Sequence, residues 1–447
     1  MGGGGWPGHA CAKQGTCAKT HRLCFTLRVP DIESRLAVSD SRPAAAGRGW
    51  SRDRRAITAV FLTHGIVFAS WTAHIPHVKA ALGLTDGGLG ETLLGAPAGS
   101  VTAMMGSTYL LPRLGSRRLV RLCLLGYCTV GVLVGMAHSM AQLFLALFLW
   151  GGFQGALDVA MNTQAIAVER AAGRPVMSAL HGTWSIGAFS GAALGALGVA
   201  VGLPLSAQLA CLAVLVLPLA EAQGRHLLAD AANDDPADPA GRGWRFSPAL
   251  LVLGGIGFAA LLCEGAAADW AAVFMRGPAH AGAGTAGLGY ACFSMTMVVI
   301  RLFGNRLLTR FPAHRLLPAL AVLSTVGFSA GLAAPGTVAG LVGFGCLALG
   351  LASVVPTLFS AAGRLPGMHP GTSVATVATF GWAGFVCGPP LIGQLAQLSG
   401  LRVGLALLPA CTAFIALATA TVRALRAPVP GPAEAAEAGR AGPAAVT

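Results

Sequence analysis

From Arg54 onward the sequence is a succession of apolar runs, each long enough to cross a lipid bilayer and each set off by a short polar turn. A helix rising 1.5 Å per residue needs about 20 apolar residues to span the hydrocarbon core. In lipid every backbone N–H and C=O must be satisfied within the segment, so such runs have to be helices. Twelve can be counted, at 56–77, 89–111, 119–137, 140–166, 177–200, 203–221, 248–275, 285–309, 315–333, 338–361, 372–397 and 402–424. Charged residues are 11% of the chain and hydrophobic ones 54%, whereas a soluble domain carries roughly 25% charged residues. The composition excludes an ordinary cytosolic enzyme. It predicts an all-α membrane protein of twelve transmembrane helices.

The net charge of +13 invites a nucleic-acid reading, but the 30 Lys and Arg fall in clusters between apolar runs rather than on one basic face. No nucleic-acid partner is expected. With the N-terminus inside, 27 of the 30 lie on the cytoplasmic side, and only Lys79, Arg276 and Arg402 fall outside. This bias predicts a multi-pass inner-membrane protein with both termini in the cytoplasm. Residues 1–55 are Gly-, Arg- and Ala-rich with no signal-peptide core, and 426–447 are Pro/Ala/Gly/Glu-rich, so both read as disordered tails. The longest polar connection, 222–247, holds Asp230, Asp234, Asp235 and Asp238 and reads as a cytoplasmic linker between bundles 56–221 and 248–425. The 11 cysteines include no CxxC, which argues against a metal or redox centre, and no cofactor is expected.

The two bundles read as copies. Trp71 is followed 17 residues later by Gly88-Leu89-Gly90, and Trp270 is followed at the same interval by Gly287-Leu288-Gly289. After each comes a span and a basic turn, Arg113-Leu114-Gly115-Ser116-Arg117-Arg118 in one bundle and Arg310-Phe311-Pro312-Ala313-His314-Arg315 in the other. The two registers, 199 and 197 residues, differ only by a short indel. Parallel six-helix repeats related by an axis along the membrane normal place a solute site at the midplane between them.

In these features the chain resembles the major facilitator superfamily, over about residues 54–425. The superfamily signature between the second and third helices, Gly-x-x-x-Asp-Arg-x-Gly-Arg-[Arg/Lys], is matched by Arg113, Gly115, Arg117 and Arg118, with Pro112 in place of the acid. The resemblance implies a cytoplasmic gate motif at these residues that lacks its usual salt bridge. Gly155-Ala156-Leu157-Asp158-Val159-Ala160-Met161-Asn162 looks like the Gly-x-x-[Glu/Asp]-x-Ala-x-Asn segment of fucose permease-type sugar/proton symporters. Leu180-His181-Gly182-Thr183-Trp184-Ser185-Ile186-Gly187 resembles their Leu-Asn/His…Gly segment, which contributes to the sugar cavity. The run from Asp158 to Gly187 looks closest to the YbjJ-like branch of bacterial inner-membrane carriers. Thr72 stands where fucose permease has an acid, so a second proton-coupling group has to lie elsewhere.

Asp158 is the sharpest candidate on chemical grounds. A carboxylate at mid-membrane costs roughly 2.5–3.5 kcal/mol on insertion scales and normally faces the bundle interior or a wet cavity. Gln154, Asp158 and Asn162 recur every four residues, one polar stripe suited to a hydroxylated solute. The bland reading of Asp158 is a structural hydrogen bond to a neighbouring helix. His181 shares an edge with Ser178 and Ser185, and Trp184 offers an aromatic face for a sugar ring or cation; the alternative is a packing histidine. Glu264 lies deep in the seventh span, while Asp269, five residues on and about 140° around the helix, reads as an exterior gate or interface residue. His64 is placed to face the cavity, and Trp71 reads as packing or interfacial belt. Arg306 and Arg310 snorkel to the surface, whereas Arg301 is deep enough to compensate an acid. Gly187…Gly191 and Gly384…Gly388 read as small-xxx-small packing faces.

The leading expectation is a monomeric secondary active transporter moving a small polar solute, sugar-like or a related metabolite, by alternating access. Gln154, Asp158, Asn162, His181, Trp184, Ser185, Glu264 and His64 would bind the solute, and Asp158, Glu264 and His181 would couple protons to it. Two alternatives stand beside it: proton-driven efflux of drugs or metabolites, and a membrane-embedded sensor without transport. The expected partners are the solute, protons and the lipid bilayer.

Overall fold

Each apolar run is helical where it is described, and several are broken into two. The computed structural model describes residues 46–172, 176–229, 247–365 and 370–422, together with 1–2 and 368. Most of the expected N-terminal tail, the linker after residue 229 and the C-terminal tail lie outside the described residues. No strand occurs among those described.

Before the segment 230–246 come α1 (Ala46–Thr72), α2 (Ile75–Ala81), α3 (Asp86–Leu93), α4 (Gly95–Leu114), α5 (Ser116–Val134), α6 (Met140–Ala172), α7 (Met177–Ala200) and α8 (Leu205–Gly224), for brevity called the first bundle. After it come α9 (Pro248–Arg276), α10 (Ala283–Ala286), α11 (Leu288–Arg310), α12 (Ala313–Ala333), α13 (Thr337–Leu351), α14 (Val354–Ala362), α15 (Pro370–Ser399), α16 (Leu401–Leu405) and α17 (Leu407–Thr421), called the second. Helix α1 starts ten residues before the expected edge of the N-terminal tail.

Among the described residues nine helical stretches are long and apolar enough to cross a membrane, and α1 with α2, bent by 43°, makes a tenth. Helix α5 falls short because Arg117, Arg118 and Arg121 occupy its first two turns, and α4 because Gly, Ser, Thr and Pro dilute it. Local chemistry sets the ends. Thr85 caps α3 by accepting from the Gly88 N–H at 3.1 Å, and Ser247 caps α9 by accepting from Leu250 at 3.1 Å. Gly115 joins α4 to α5 at φ 75°, a conformation that favours glycine.

Lipid supplies no hydrophobic drive between helices, so close packing has to hold them. The small-residue faces do this. A Cβ on Gly187, Gly191 or Gly195 of α7 would come within 2.4, 2.2 and 2.5 Å of the Leu62, Ile66 and Ser70 carbonyl oxygens of α1. Gly384 of α15 meets the Phe258 carbonyl of α9 in the same way, at 2.1 Å. Val214, Leu215, Leu219, Val338 and Leu417 are exposed on the outer faces, as lipid contact requires. Several buried polar groups are paired, the Ser324 hydroxyl donating to the Leu347 carbonyl and Thr325 bonding Thr412, both at 2.8 Å; among the described residues the His64 Nε2, the Tyr127 hydroxyl and the Trp270 indole nitrogen are buried without a partner. The eight described cysteines are free thiols.

Within the first bundle α6 packs on α4 and α5, and α5 on α8; within the second, α9 packs on α15 and α12 on α13 and α17. Between the bundles α7 lies along α11, α3 against the end of α15, and α2 against α9.

Candidate functional site

The polar stripe of α6 forms as expected, but part of it is turned on itself. Gln154, Asp158 and Asn162 are all half-buried. The Asn162 amide donates to the Asp158 backbone carbonyl at 2.8 Å and to its carboxylate at 3.2 Å. A carboxylate so held has other lone pairs left for a solute or a proton.

On α7 the polar edge has two levels. His181 is exposed and stands edge-on to the Phe61 ring of α1, with centroids 5.4 Å apart. One turn deeper, Ser185 is buried; its hydroxyl donates to the His181 carbonyl at 3.1 Å and accepts from Arg301 at 2.7 Å. Arg301 belongs to α11, so this bond crosses from one bundle to the other. Its second guanidinium nitrogen lies 3.6 Å from the Glu264 carboxylate on α9. Both charged side chains are about four-fifths buried, at 18% and 22% exposure. Trp184, Ser185, Glu264, Tyr290, Phe293 and Arg301 are among the residues that line a narrow cleft around this bridge.

His64 does not line that cleft. It is 3% exposed and stands behind Trp184, whose indole N–H donates to the His64 Nδ1 at 3.1 Å. An accepting Nδ1 assigns the ring proton to Nε2. The His64 ring meets Tyr127 of α5 edge-on at 5.2 Å, and Tyr127 stacks on Trp150 of α6 at 5.0 Å. A hydrogen bond from the Trp150 indole to the Tyr127 carbonyl, 3.0 Å, completes the series.

The structure therefore brings Trp184, Ser185 and Glu264 together, keeps Gln154, Asp158, Asn162 and His181 off that cleft's lining, and makes His64 a support. Sequence reasoning did not single out Tyr290, Phe293, Ser294 and Met297. The spacing of Tyr290, Ser294, Met297 and Arg301 runs four, three, four, which places them on one helix face and was open to detection. Asp269 is half-buried and, with Glu264 and Arg301, acts electrostatically on Tyr290. Trp71 and Trp270 are both buried, and the Trp270 indole nitrogen has no hydrogen-bond partner among the described residues.

The gate-motif residue Arg117 and its neighbours Ser116 and Arg121 have partners on α6, on α8 and just after α8. Arg117 donates to the Arg225 carbonyl, Arg121 pairs with Glu221, and Ser116 accepts from the Gln164 amide at 2.8 Å. Gln164 also exchanges hydrogen bonds with the Leu228 backbone at 3.0 and 3.1 Å. Arg113 is exposed.

A tight seam joins the bundles at the ends of α3 and α15. A Cβ on Gly90 would meet the Pro389 carbonyl at 2.5 Å and the Gly393 Cα at 3.0 Å. The Gln394 amide donates to Glu91 at 2.9 Å, and Lys79 pairs with Asp86 beside it. Among the described residues no group of three or more His, Cys, Asp or Glu gathers as a metal site would require.

No family model matches the sequence. An uncharacterized MFS-type transporter of Yersinia pestis is 34% identical over 363 residues, which is 80% of this chain and 92% of that protein. The crystal structure of a point mutant of the nucleoside transporter NupG superposes with a TM-score of 0.64 at 13% identity, over 83% of this chain and 99% of that one. A variant of the Escherichia coli fucose:proton symporter FucP gives 0.55 at 14% identity, over 82% of this chain and 97% of that one. At such identities the two structures speak for the fold alone.

Proposed function

The chain belongs to the major facilitator superfamily, membrane transporters rather than enzymes, and within it we propose a proton-coupled secondary carrier of a small polar solute that works by alternating access. The observation that carries this is the Ser185–Arg301–Glu264 bridge. A polar bond between two apolar bundles is costly to bury in lipid and has to be remade whenever the bundles move. That is what a site at a moving interface needs and a static scaffold does not.

The reading takes the chain as twelve spans in two pseudo-symmetric bundles, 56–221 and 248–425, joined by the linker 222–247, with both termini in the cytoplasm. The distribution of Lys and Arg supports that orientation. The α3–α15 seam is then the outer gate, closed, and exposed His181 faces the cytoplasmic mouth. Trp184, Ser185 and Glu264 contact the solute in the cleft, with His64 holding Trp184 in place. Gln154, Asp158, Asn162 and His181 line the route to it. Asp158, Glu264 and His181 exchange protons; linkage arises because protonated and ionised forms favour opposite faces. Arg113, Gly115, Arg117 and Arg118 form the cytoplasmic gate region. Proton uptake by vesicles on addition of candidate sugars tests the reading; solute flux with no proton movement would refute the coupling.

One observation favours a second reading, proton-driven efflux of an apolar metabolite or drug. A separate cleft is lined by Leu261, Val355, Leu358, Phe359, Val377 and Trp382 with small residues between them. Substrate-dependent proton release from vesicles, in place of uptake, would decide for it.

A further inference from the structure

An arginine inside an apolar span ordinarily snorkels to the surface or is fully paired. Arg301 does neither. Its guanidinium presents five N–H donors in a planar fork, and among the described residues one of them is used at short range, in the 2.7 Å bond to the Ser185 hydroxyl. Glu264 is an ion-pair partner at 3.6 Å, beyond the roughly 2.7–2.9 Å of a charge-assisted hydrogen bond. The carboxylate thus neutralises the arginine without occupying the fork. Around the pair the cleft offers Trp184, Tyr290, Phe293 and Met297 as an apolar and aromatic wall and Ser294 as a further hydroxyl. What this geometry is shaped to receive is a pair of oxygens lying in one plane.

We infer that the solute carried through this cleft bears a carboxylate, which takes the Arg301 fork in exchange for Glu264. The inference rests on the carrier reading of the same cleft and names its substrate class. The charge arithmetic gives the mechanism. The resting Arg301–Glu264 pair is neutral, and a carboxylate arriving beside it would leave an uncompensated negative charge in a low-dielectric site. Neutrality returns when Glu264, released from the guanidinium, accepts one proton from water on the open side and forms one O–H bond. On the opposite side Glu264 gives that proton back and re-pairs with Arg301 as the solute leaves. One anion and one proton cross together, and no net charge moves. Arg301 also holds Ser185, so filling the fork bears directly on the bond that ties the two bundles.

The test uses the full-length chain, in detergent and in proteoliposomes, with D-gluconate, D-galacturonate and L-lactate set against neutral sorbitol, D-galactose and propylene glycol. The carboxylates should raise the melting temperature and the neutral partners should not. Arg301→Ala should abolish the shift, and Arg301→Lys, which keeps the charge and loses the fork, should weaken binding at least tenfold. Glu264→Gln should bind the carboxylates more tightly than wild type and lose the pH dependence of binding. Wild-type uptake should follow a pH gradient and ignore an imposed potassium diffusion potential. The inference is overturned by a shift from the neutral partners alone, by a carboxylate shift that survives in a folded Arg301→Ala, or by no carboxylate shifting either wild type or Glu264→Gln. If Arg301→Ala does not fold, the pH dependence of wild type against Glu264→Gln decides by itself. Failure of the carrier reading looks different: no member of the panel, charged or neutral, then exchanges across the vesicle membrane.

Discussion

Gly90 sits at a close seam between the two bundles, and Gly90→Ala measures what that closeness is for. The added Cβ would lie 2.5 Å from the Pro389 carbonyl oxygen, 3.0 Å from the Gly393 Cα and 3.2 Å from the Pro389 carbonyl carbon. All three are backbone atoms, so no side chain can swing aside. Ordinary contact begins near 3.4 Å, and α3 and α15 therefore have to part by roughly an ångström. Overpacking of this kind costs about 1–3 kcal/mol. In a static protein that energy would appear as lost stability. In a molecule with a second state in which the seam is open, it is relieved by opening, and at about 1.4 kcal/mol per tenfold the equilibrium shifts roughly 5- to 150-fold. Spin labels on exposed Ala80 and Leu398, in a cysteine-free background, report the separation of the two ends by pulsed electron resonance. Gly90→Ala should add a longer-distance population at little change in melting temperature. Gly106→Ala, where a Cβ meets nothing within 4 Å, should leave the distribution as it is. A folded Gly90→Ala with the wild-type distance distribution and a lowered melting temperature would refute the idea that this seam opens.

Three further outcomes are expected. Asp158→Asn, which keeps the hydrogen-bonding shape and removes the titratable group, should abolish proton-driven accumulation in vesicles while membrane insertion is unchanged; wild-type accumulation would remove Asp158 from coupling. His181→Ala should weaken solute binding severalfold in a thermal-shift titration without lowering the ligand-free melting temperature, because the ring is exposed and packs on Phe61 alone among the described aromatic contacts; an unchanged affinity would make it a packing residue. Trp184→Phe should destabilise the protein by about 1–3 kcal/mol, since it leaves the buried Nδ1 of His64 without its donor; a loss below about 0.5 kcal/mol in reversible unfolding would show that this bond contributes little.

Much of the architecture could be read along the chain because the bilayer imposes one length on every span. The expected fifth span coincides with α7, Met177–Ala200, and the seventh nearly does with α9. The breaks between α1 and α2, α3 and α4, and α13 and α14 went unseen, because an apolar run stays apolar whether or not its axis bends. The site was legible only in part. An acid or histidine in an apolar run announces itself by its cost, which is why Asp158, His181 and Glu264 stood out. Which of them meet depends on helix rotation and on the register between bundles, and neither is encoded in one helix alone. Arg301 is the example: its depth marked it as a possible counter-charge, but only the packing of α11 against α7 shows that it also reaches Ser185. Gln164 lay two residues beyond the visible stripe, and its task of fastening Ser116 to Leu228 is a tertiary one.

Trp184, His64, Tyr127 and Trp150 come from four different helices, α7, α1, α5 and α6, and each ring touches the next. Rings pinned in series leave those helices little freedom to slip past one another. On the alternating-access proposal, a force applied at Ser185 would then turn the bundle as one stiff arm instead of being dissipated in local rearrangement. The stroke at its far end would be set by lever length, so that a displacement of a fraction of an ångström beside the proposed solute would become a much wider swing at the membrane surface.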